Sequence, residues 1–394
     1  MADIADIVVV GGGVHGASTA WHLAKRNAGK IVLIEKDAIA SGASGWSSAI
    51  VRMHYQLESL VKVTMYGREM YGDWENIVGV GESGFHKVGF LVLFPEDEIE
   101  HGHSVIKMQQ RLGIDARYIS RDEITQIEPR LSIEDVAAGA WEPNSGYADG
   151  STVANSFVAA ARSLGVEVRI GPEVIALTSG GDKITGVDTS EGMIHAGTVI
   201  VEAGFRTSAL LAHHGVSLPI VPVRHAIAVV KRTQDFGDIH PVVSDRVARA
   251  YYRPEAENLT LLGEHDPLKG PVDEEVEVTK PPQLDEEISL MERFAHRFTG
   301  QELASKMQGY TGVYDCSPDF QPAFGRVQAM DGLFVGAGFS GHGFKLSPGI
   351  GKIMSDLVVD GATDMIDVHP FRVERFAEND LLLGGKGYSN RSLS

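Results

Sequence analysis

The chain has 394 residues, 43% hydrophobic and 22% charged, the balance of an ordinary globular protein with a sizeable core. Its net charge of −18, with no basic tract, argues against nucleic acid or an anionic membrane surface as partner, yet leaves room for a small anion held by a few buried cations. A single cysteine, Cys316, excludes a disulfide framework, no apolar run nears the ~20 residues of a membrane span, and the N-terminus does not read as a secretory signal, so a cytoplasmic location is expected.

The first element is the sharpest. Residues 7–10, Ile-Val-Val-Val, form a short β-branched run of the kind a buried parallel strand requires. It leads into Gly11-Gly-Gly13-Val14-His15-Gly16, then a helical spacing of Ala17, Ala20, Trp21 and Ala24, then a second β-branched run, 31–34, ending in Glu35. Strand, G-x-G-x-x-G, helix, strand and acid together predict dinucleotide binding. Gly11 permits the tight turn, Gly13 lets the backbone approach a pyrophosphate, Gly16 lets helix and strand pack closely, and the helix N-terminus offers free N–H groups. Glu35 suits a ribose hydroxyl and would repel a 2′-phosphate, which disfavours NADP. His15 reads as a variable position within the motif. The motif alone leaves NAD against FAD open.

Beyond Glu35 the regular alternation breaks. Residues 36–56 read as a small-residue loop leading to Arg52, and 57–74 as a helix. Residues 88–94 read as strand, followed by a polar helical region to about Gly113. The α/β pattern returns with a helix at 153–164, a strand at 166–170, a meander at 174–177 and 186–189, and a buried strand at 198–204 ending in glycine. Residues 219–315 suggest a mostly antiparallel sheet with one helix at 284–298. The acidic runs 273–277 and 285–287 read as solvated faces. A last strand, 331–338, enters the glycine-rich "GFSGHGFKLSPG", and a helix follows at 348–359. Residues 384–394 read as a flexible tail. No metal motif is present, and Cys316 reads as a small buried hydrophobe.

The N-terminal fingerprint, "SGASGWSSAIVR", "YYRPEAENLTLLGEH", "SPDFQPAFG" and "GLFVGAGFSGHGFKLSPGIG" give the chain a close resemblance to the D-amino-acid-oxidase-type flavoprotein family, in the branch of sarcosine oxidase, glycine oxidase and sarcosine and dimethylglycine dehydrogenases. The resemblance implies a Rossmann-like FAD-binding domain interleaved with an antiparallel-sheet substrate domain, an α/β with α+β fold. The expected boundaries are 1–84, 145–218 and 320–365 for the FAD domain, and 85–144 and 219–319 for the substrate domain.

It also implies the site. FAD would contact Gly11, Gly13, Val14, His15, Gly16, Glu35 and Lys36 at its ADP end, with Val174, Ala203 and Gly204 adding backbone contacts. Ser44, Ser47, Ser48, Gly338, Gly341, His342, Gly343, Phe344 and Lys345 would complete the cradle. Lys345 and Arg52 fall on the family's substrate-carboxylate lysine and arginine, and His265 and Tyr252 on polar active-site positions. Two cations on one carboxylate fix a small acid in one orientation, so that its α-carbon meets the flavin in a reactive geometry. The implied reaction is oxidation of the C–N bond of a sarcosine-, N-methyl-amino-acid- or glycine-like substrate.

Alternatives within the same fold are a 2-hydroxy-acid or glycerol-3-phosphate oxidoreductase, and the FAD-bearing beta-type subunit of a hetero-oligomeric sarcosine oxidase or proline dehydrogenase; homo-oligomers are also compatible. The folate-binding domain of longer relatives is not represented, so tetrahydrofolate coupling within the chain is not expected.

Two departures from the resemblance carry expectations. The position of the sarcosine oxidase FAD-linking cysteine is Gly312, and Trp46 is followed by Ser47 rather than the histidine of the dimethylglycine dehydrogenases, so FAD is expected to be non-covalent. Leu261 stands where the family's oxygen-promoting lysine would be. A leucine offers no charge to a forming superoxide, which favours a dehydrogenase with another acceptor over O2 as acceptor.

Overall fold

A computed structural model describes residues 3–265 and 281–382. The acidic run 273–277 and the tail 384–394 lie outside the described residues.

The β-branched runs assemble into a six-stranded sheet in the order Ala323–Arg326, Leu333–Ala337, Thr198–Val201, Ile7–Val10, Ile31–Glu35, Glu167–Ile170. All neighbours are parallel except the first pair. Ile7–Val10 is buried throughout, as a central strand covered on both faces must be. The helices Val14–Lys25 and Gly343–Val359 cover one face with Gly150–Ser163 and Glu58–Gly72, and their apolar sides form one core with Val9, Leu33 and Ile200.

The second sheet has nine strands. Val221–Lys231, Leu259–Glu264, Ala250–Glu255, Val242–Asp245, Phe90–Phe94 and Ala138–Glu142 run side by side, with Tyr310–Cys316 also pairing on Val221–Lys231. Its one parallel pair joins Val242–Asp245 to Phe90–Phe94. The chain enters this sheet twice, so the two sheets are interleaved in sequence, as the fold class implies. The helix Leu284–Arg297 packs Leu290, Phe294 and the following Phe298 against its outer face. Among the described residues no helix is long and apolar enough to cross a membrane.

Two expectations are corrected. The run 285–287 is not a solvated face: Glu286 and Glu287 are buried, and only Asp285 is exposed. Glu286 accepts from Arg224 Nη1 at 2.9 Å and closes a capping box with Gln283, while Glu287 pairs with Lys306 Nζ at 2.9 Å. A carboxylate at a helix start is stabilised by the dipole, and these two also neutralise cations from the adjoining sheet.

The final helix begins at Gly343, not at Pro348. Pro348 lacks the N–H that would bond the Phe344 carbonyl one turn back. That carbonyl instead accepts from Tyr71 Oη and from Ser347 Oγ, each at 2.8 Å. The helix therefore runs through the proline, and Lys345 lies in its first turn rather than in a loop.

Candidate active site

The G-x-G-x-x-G turn is built as its glycines require. Gly11 has φ +112°, and a Cβ there would stand 2.3 Å from the Glu202 carbonyl oxygen; a Cβ at Gly16 would stand 2.0 Å from the Gly11 oxygen. Glu35 Oε2 accepts from Gly12 N at 2.7 Å and its Oε1 from Asp37 N at 2.9 Å, which fixes the carboxylate at the end of its strand. Ser44 Oγ accepts from Val14 N at 3.0 Å, tying the following loop to the helix start.

From this turn a cavity of about 510 Å³ runs past Glu35, Lys36 and Val174 at one end to Tyr314 and Phe344 at the other. Gly11, Gly13, Val14, His15, Ser44, Ser47, Ser48, Ala203, Gly204, Gly341 and Gly343 line it between. His15 is stacked on Phe339 with centroids 3.7 Å apart, its ring against the Gly343 backbone. Burial lowers its pKa to about 3, so the ring is neutral. An elongated cavity, a helix N-terminus at its narrow turn, serine hydroxyls and a buried neutral imidazole fit a dinucleotide.

Four of the expected cradle residues do not line this cavity, and one of them, Lys345, lines the adjoining pocket described below. Gly16 packs beneath the turn. Gly338 donates its N–H to Asp315 Oδ2 at 2.8 Å, anchoring the glycine-rich loop from behind. His342 sits behind the loop too, its Nε2 2.9 Å from the Phe320 oxygen and its Nδ1 3.2 Å from Tyr55 Oη.

A smaller pocket adjoins the cavity, and Ser47, Ser48, Tyr314, Gly341 and Phe344 line both. It brings together Arg52, His265 and Lys345 with Phe90, Ser244 and Tyr251. Arg52 is 4% exposed and Lys345 6%. The Arg52 guanidinium lies over the Tyr55 ring at 4.5 Å and donates to the His54 carbonyl. Lys345 Nζ reaches the His342 carbonyl at 3.4 Å. Burial, and then the Arg52 charge, push the Lys345 pKa well below the usual lysine range. His265 Nε2 lies 3.3 Å from Ser244 Oγ, and burial, then Arg246 and Arg52, keep its ring neutral.

Tyr252 is not brought to this pocket. Successive residues of a strand face opposite sides of the sheet. Tyr252 points outward into the core with Phe294 and Phe298, 5.5 and 5.7 Å away, and Tyr251 points inward. Tyr251 Oη lies 2.8 Å from Ser48 Oγ and 3.0 Å from His225 Nε2. His225 stacks on Tyr314 at 4.5 Å, and burial lowers its pKa to about 3. Sequence reasoning missed Tyr251, His225 and Tyr314, although strand parity relative to His265 was a usable signal for Tyr251. It also missed Glu202, an acid closing an apolar strand. Both Glu202 oxygens are buried, and burial, opposed only by the Thr19 hydroxyl, raises the carboxyl to about 8.

A buried arginine and lysine thus share a pocket that opens beside the elongated cavity, an arrangement that fits a small anion. Residues 6–357 match the family described as "FAD dependent oxidoreductase", and the chain belongs to it. It is thus an enzyme that uses FAD. Among curated relatives it is 28% identical over 94% of its length to 4-methylaminobutanoate oxidase (formaldehyde-forming) of Paenarthrobacter nicotinovorans, of which it covers 45%. It is 24% identical over 96% of its length to sarcosine oxidase subunit beta of an Arthrobacter species, covering 92% of that protein. The chain spans about half the length of several of the curated relatives it matches.

Among solved structures, L-proline dehydrogenase from P. horikoshii superposes with a TM-score of 0.87 at 25% identity, covering 97% of this chain and 100% of that one. Glycine oxidase from Geobacillus kaustophilus gives 0.82 at 25% identity, covering 95% and 99%.

Proposed function

We propose that the protein oxidises the C–N bond of a small secondary or free amino acid, of the sarcosine, N-methyl-amino-acid or glycine type, to an imine that water hydrolyses to a carbonyl compound and an amine. The observation that carries this reading is the convergence of Arg52 and Lys345 in a buried pocket that shares its wall with the cofactor cavity. The likeness to enzymes named for amino-acid and methylamine oxidation supports it.

In this reading residues 1–84, 145–218 and 320–365 carry the cofactor and 85–144 and 219–319 close the substrate side. FAD, held without a covalent link because Gly312 and Ser47 offer no attachment, supplies the hydride acceptor. Arg52 and Lys345 hold the substrate carboxylate, and Tyr55, with His342 behind it, keeps the guanidinium in place through ring stacking. Burial favours the neutral amine, whose lone pair assists loss of hydride. Tyr251, held by Ser48 and by neutral His225, lines the same pocket and would orient the amine by hydrogen bonding rather than take its proton. His265 orients the amine. Leu261 packs with Ile227 and Tyr251 and brings no charge, which favours an acceptor other than O2.

Anaerobic mixing with sarcosine, glycine, proline, N-methyl amino acids and matched hydroxy acids, followed by flavin absorbance, tests the reading. Bleaching by an amino acid that disappears in Arg52→Ala and Lys345→Ala is expected. Bleaching by hydroxy acids alone would replace the reading with alcohol oxidation. A second reading, the FAD-bearing subunit of a larger assembly, draws on the end-to-end likeness to a protein named as a beta subunit. Bleaching that appears only with a co-purified partner would favour it.

A further inference from the structure

We propose that Glu142 is a positioning residue for the carboxylate pocket, fixing the backbone that carries Arg52 to the nine-stranded sheet. The proposal rests on the reading of Arg52 as a carboxylate ligand. Arg52 lies just beyond a two-residue ladder in which Ile50 and Val51 pair with Tyr147 and Gly146. The ladder stops there, and residues 52–55 belong to no strand. Glu142, at the end of the strand Ala138–Glu142 and 1% exposed, takes over where the ladder ends. Its Oε2 accepts from Met53 N at 3.0 Å and from Ser145 Oγ at 2.6 Å, and its Oε1 accepts from Gln109 Nε2 in the helix Ile99–Arg111.

One carboxylate thus joins the peptide next to Arg52 to a strand, a turn and a helix. A guanidinium on a freely moving segment would lose orientation each time that segment shifted. A displacement of about 1 Å can cost up to a hundredfold in a positioned site. The hydrogen bond to the Met53 N–H, made by a carboxylate that is itself held on both oxygens, is the restraint that prevents it.

Position and charge make opposite predictions for two conservative changes. Glu142→Gln keeps the length. Gln109, whose side chain also meets the neutral His54 ring, can turn its amide over so that Oε1 accepts from the new amide and Nε2 faces His54, while the new carbonyl oxygen still serves Met53 and Ser145. Glu142→Asp keeps the charge but draws the carboxylate back by about 1.5 Å, out of reach of the Met53 N–H.

The test titrates the FAD-loaded protein with methoxyacetate, the oxygen analogue of an N-methyl amino acid, following the flavin spectrum. FAD affinity and thermal melts are recorded alongside. Glu142→Gln is expected to bind within about twofold of the parent. Glu142→Asp is expected to bind about tenfold more weakly, with FAD affinity unchanged. Ser145→Ala, which removes one bond to Oε2 and leaves the fold intact, should weaken binding by about threefold and decides the matter if Glu142→Asp fails to hold FAD. A Glu142→Asp protein equal to the parent beside a weak Glu142→Gln protein would overturn the proposal in favour of a charge effect, and parent-like binding by both Glu142→Asp and Ser145→Ala would overturn it outright. Arg52→Ala in the same titration separates the two layers: if it too binds like the parent, the carboxylate reading itself fails.

Discussion

Lys345 and Arg52 line one buried pocket, and burial, then the guanidinium, lowers the proton affinity of the amine. Among the described residues no carboxylate pairs with Lys345; its one hydrogen bond is to the His342 carbonyl. A bound carboxylate would supply the missing charge. Because the folded pKa lies below the unfolded value, the unfolded chain binds the extra proton between the two. Ligand-free stability should therefore rise as pH climbs from the lowered pKa towards about 10.4. Binding of methoxyacetate within that window should take up on the order of one proton. Calorimetry in buffers of different ionisation enthalpy checks this, and Lys345→Met should abolish the uptake.

Tyr251 and Tyr252 separate chemistry from packing. Tyr251→Phe breaks the contacts with both Ser48 and His225 and is expected to slow anaerobic flavin bleaching by about tenfold. Tyr252→Phe keeps the ring among Phe294 and Phe298 and should leave the bleaching rate within about twofold. Stopped-flow traces of the two variants settle it; equal slowing by both would remove the assigned role of Tyr251.

Glu202 should make the protein less stable as pH rises. Its folded pKa, about 8, lies above the unfolded value, so the folded state holds the extra proton between them. Stability linked to this group is present below about pH 4.3 and is lost progressively towards pH 8. Glu202→Gln removes the penalty and is expected to raise the melting temperature at pH 8 by several degrees while changing it little at pH 4.5. Melts at the two pH values check the sign, and a uniform shift at both would show that the carboxyl is not the cause.

Asp319 and Arg375 form an ion pair with both side chains fully buried, and Asp319 also receives Gln321 N and Leu382 N. Removing one partner strands the other charge. Asp319→Ala is expected to cost about 3–5 kcal/mol in denaturant unfolding. The double change Asp319→Leu with Arg375→Met should recover much of that loss, since neither charge is then left alone.

The cofactor end was legible because its requirements are local. A turn that only glycine tolerates, a helix start and an acid at a strand end lie within one short stretch; Gly11 and Gly16 make the close approaches their spacing implies, and Glu35 stands at the strand end against the turn. The helix Gly343–Val359 was read too short because a proline normally marks a helix start, and nothing local reveals that Tyr71 takes up the carbonyl that Pro348 leaves. The substrate pocket was half legible. Arg52, His265 and Lys345 were found by resemblance, and the structure gathers them. His225 and Tyr314 could not be found by periodicity, since their meeting depends on the register of the strands Val221–Lys231 and Tyr310–Cys316, set by pairings far apart in sequence.

The bond from Tyr71 to the Phe344 carbonyl binds the histories of two positions. With Pro348 in place, a tyrosine lost at 71 leaves a buried carbonyl depending on Ser347 alone, in the turn that holds Lys345. With an ordinary residue at 348, the backbone serves that carbonyl and the tyrosine's hydroxyl becomes dispensable, though its ring still fills the core beside Phe344 and Trp74. A lineage can therefore leave this arrangement by changing 348 first and 71 second, while the reverse order passes through a loosened lysine; descent at these two sites has a direction.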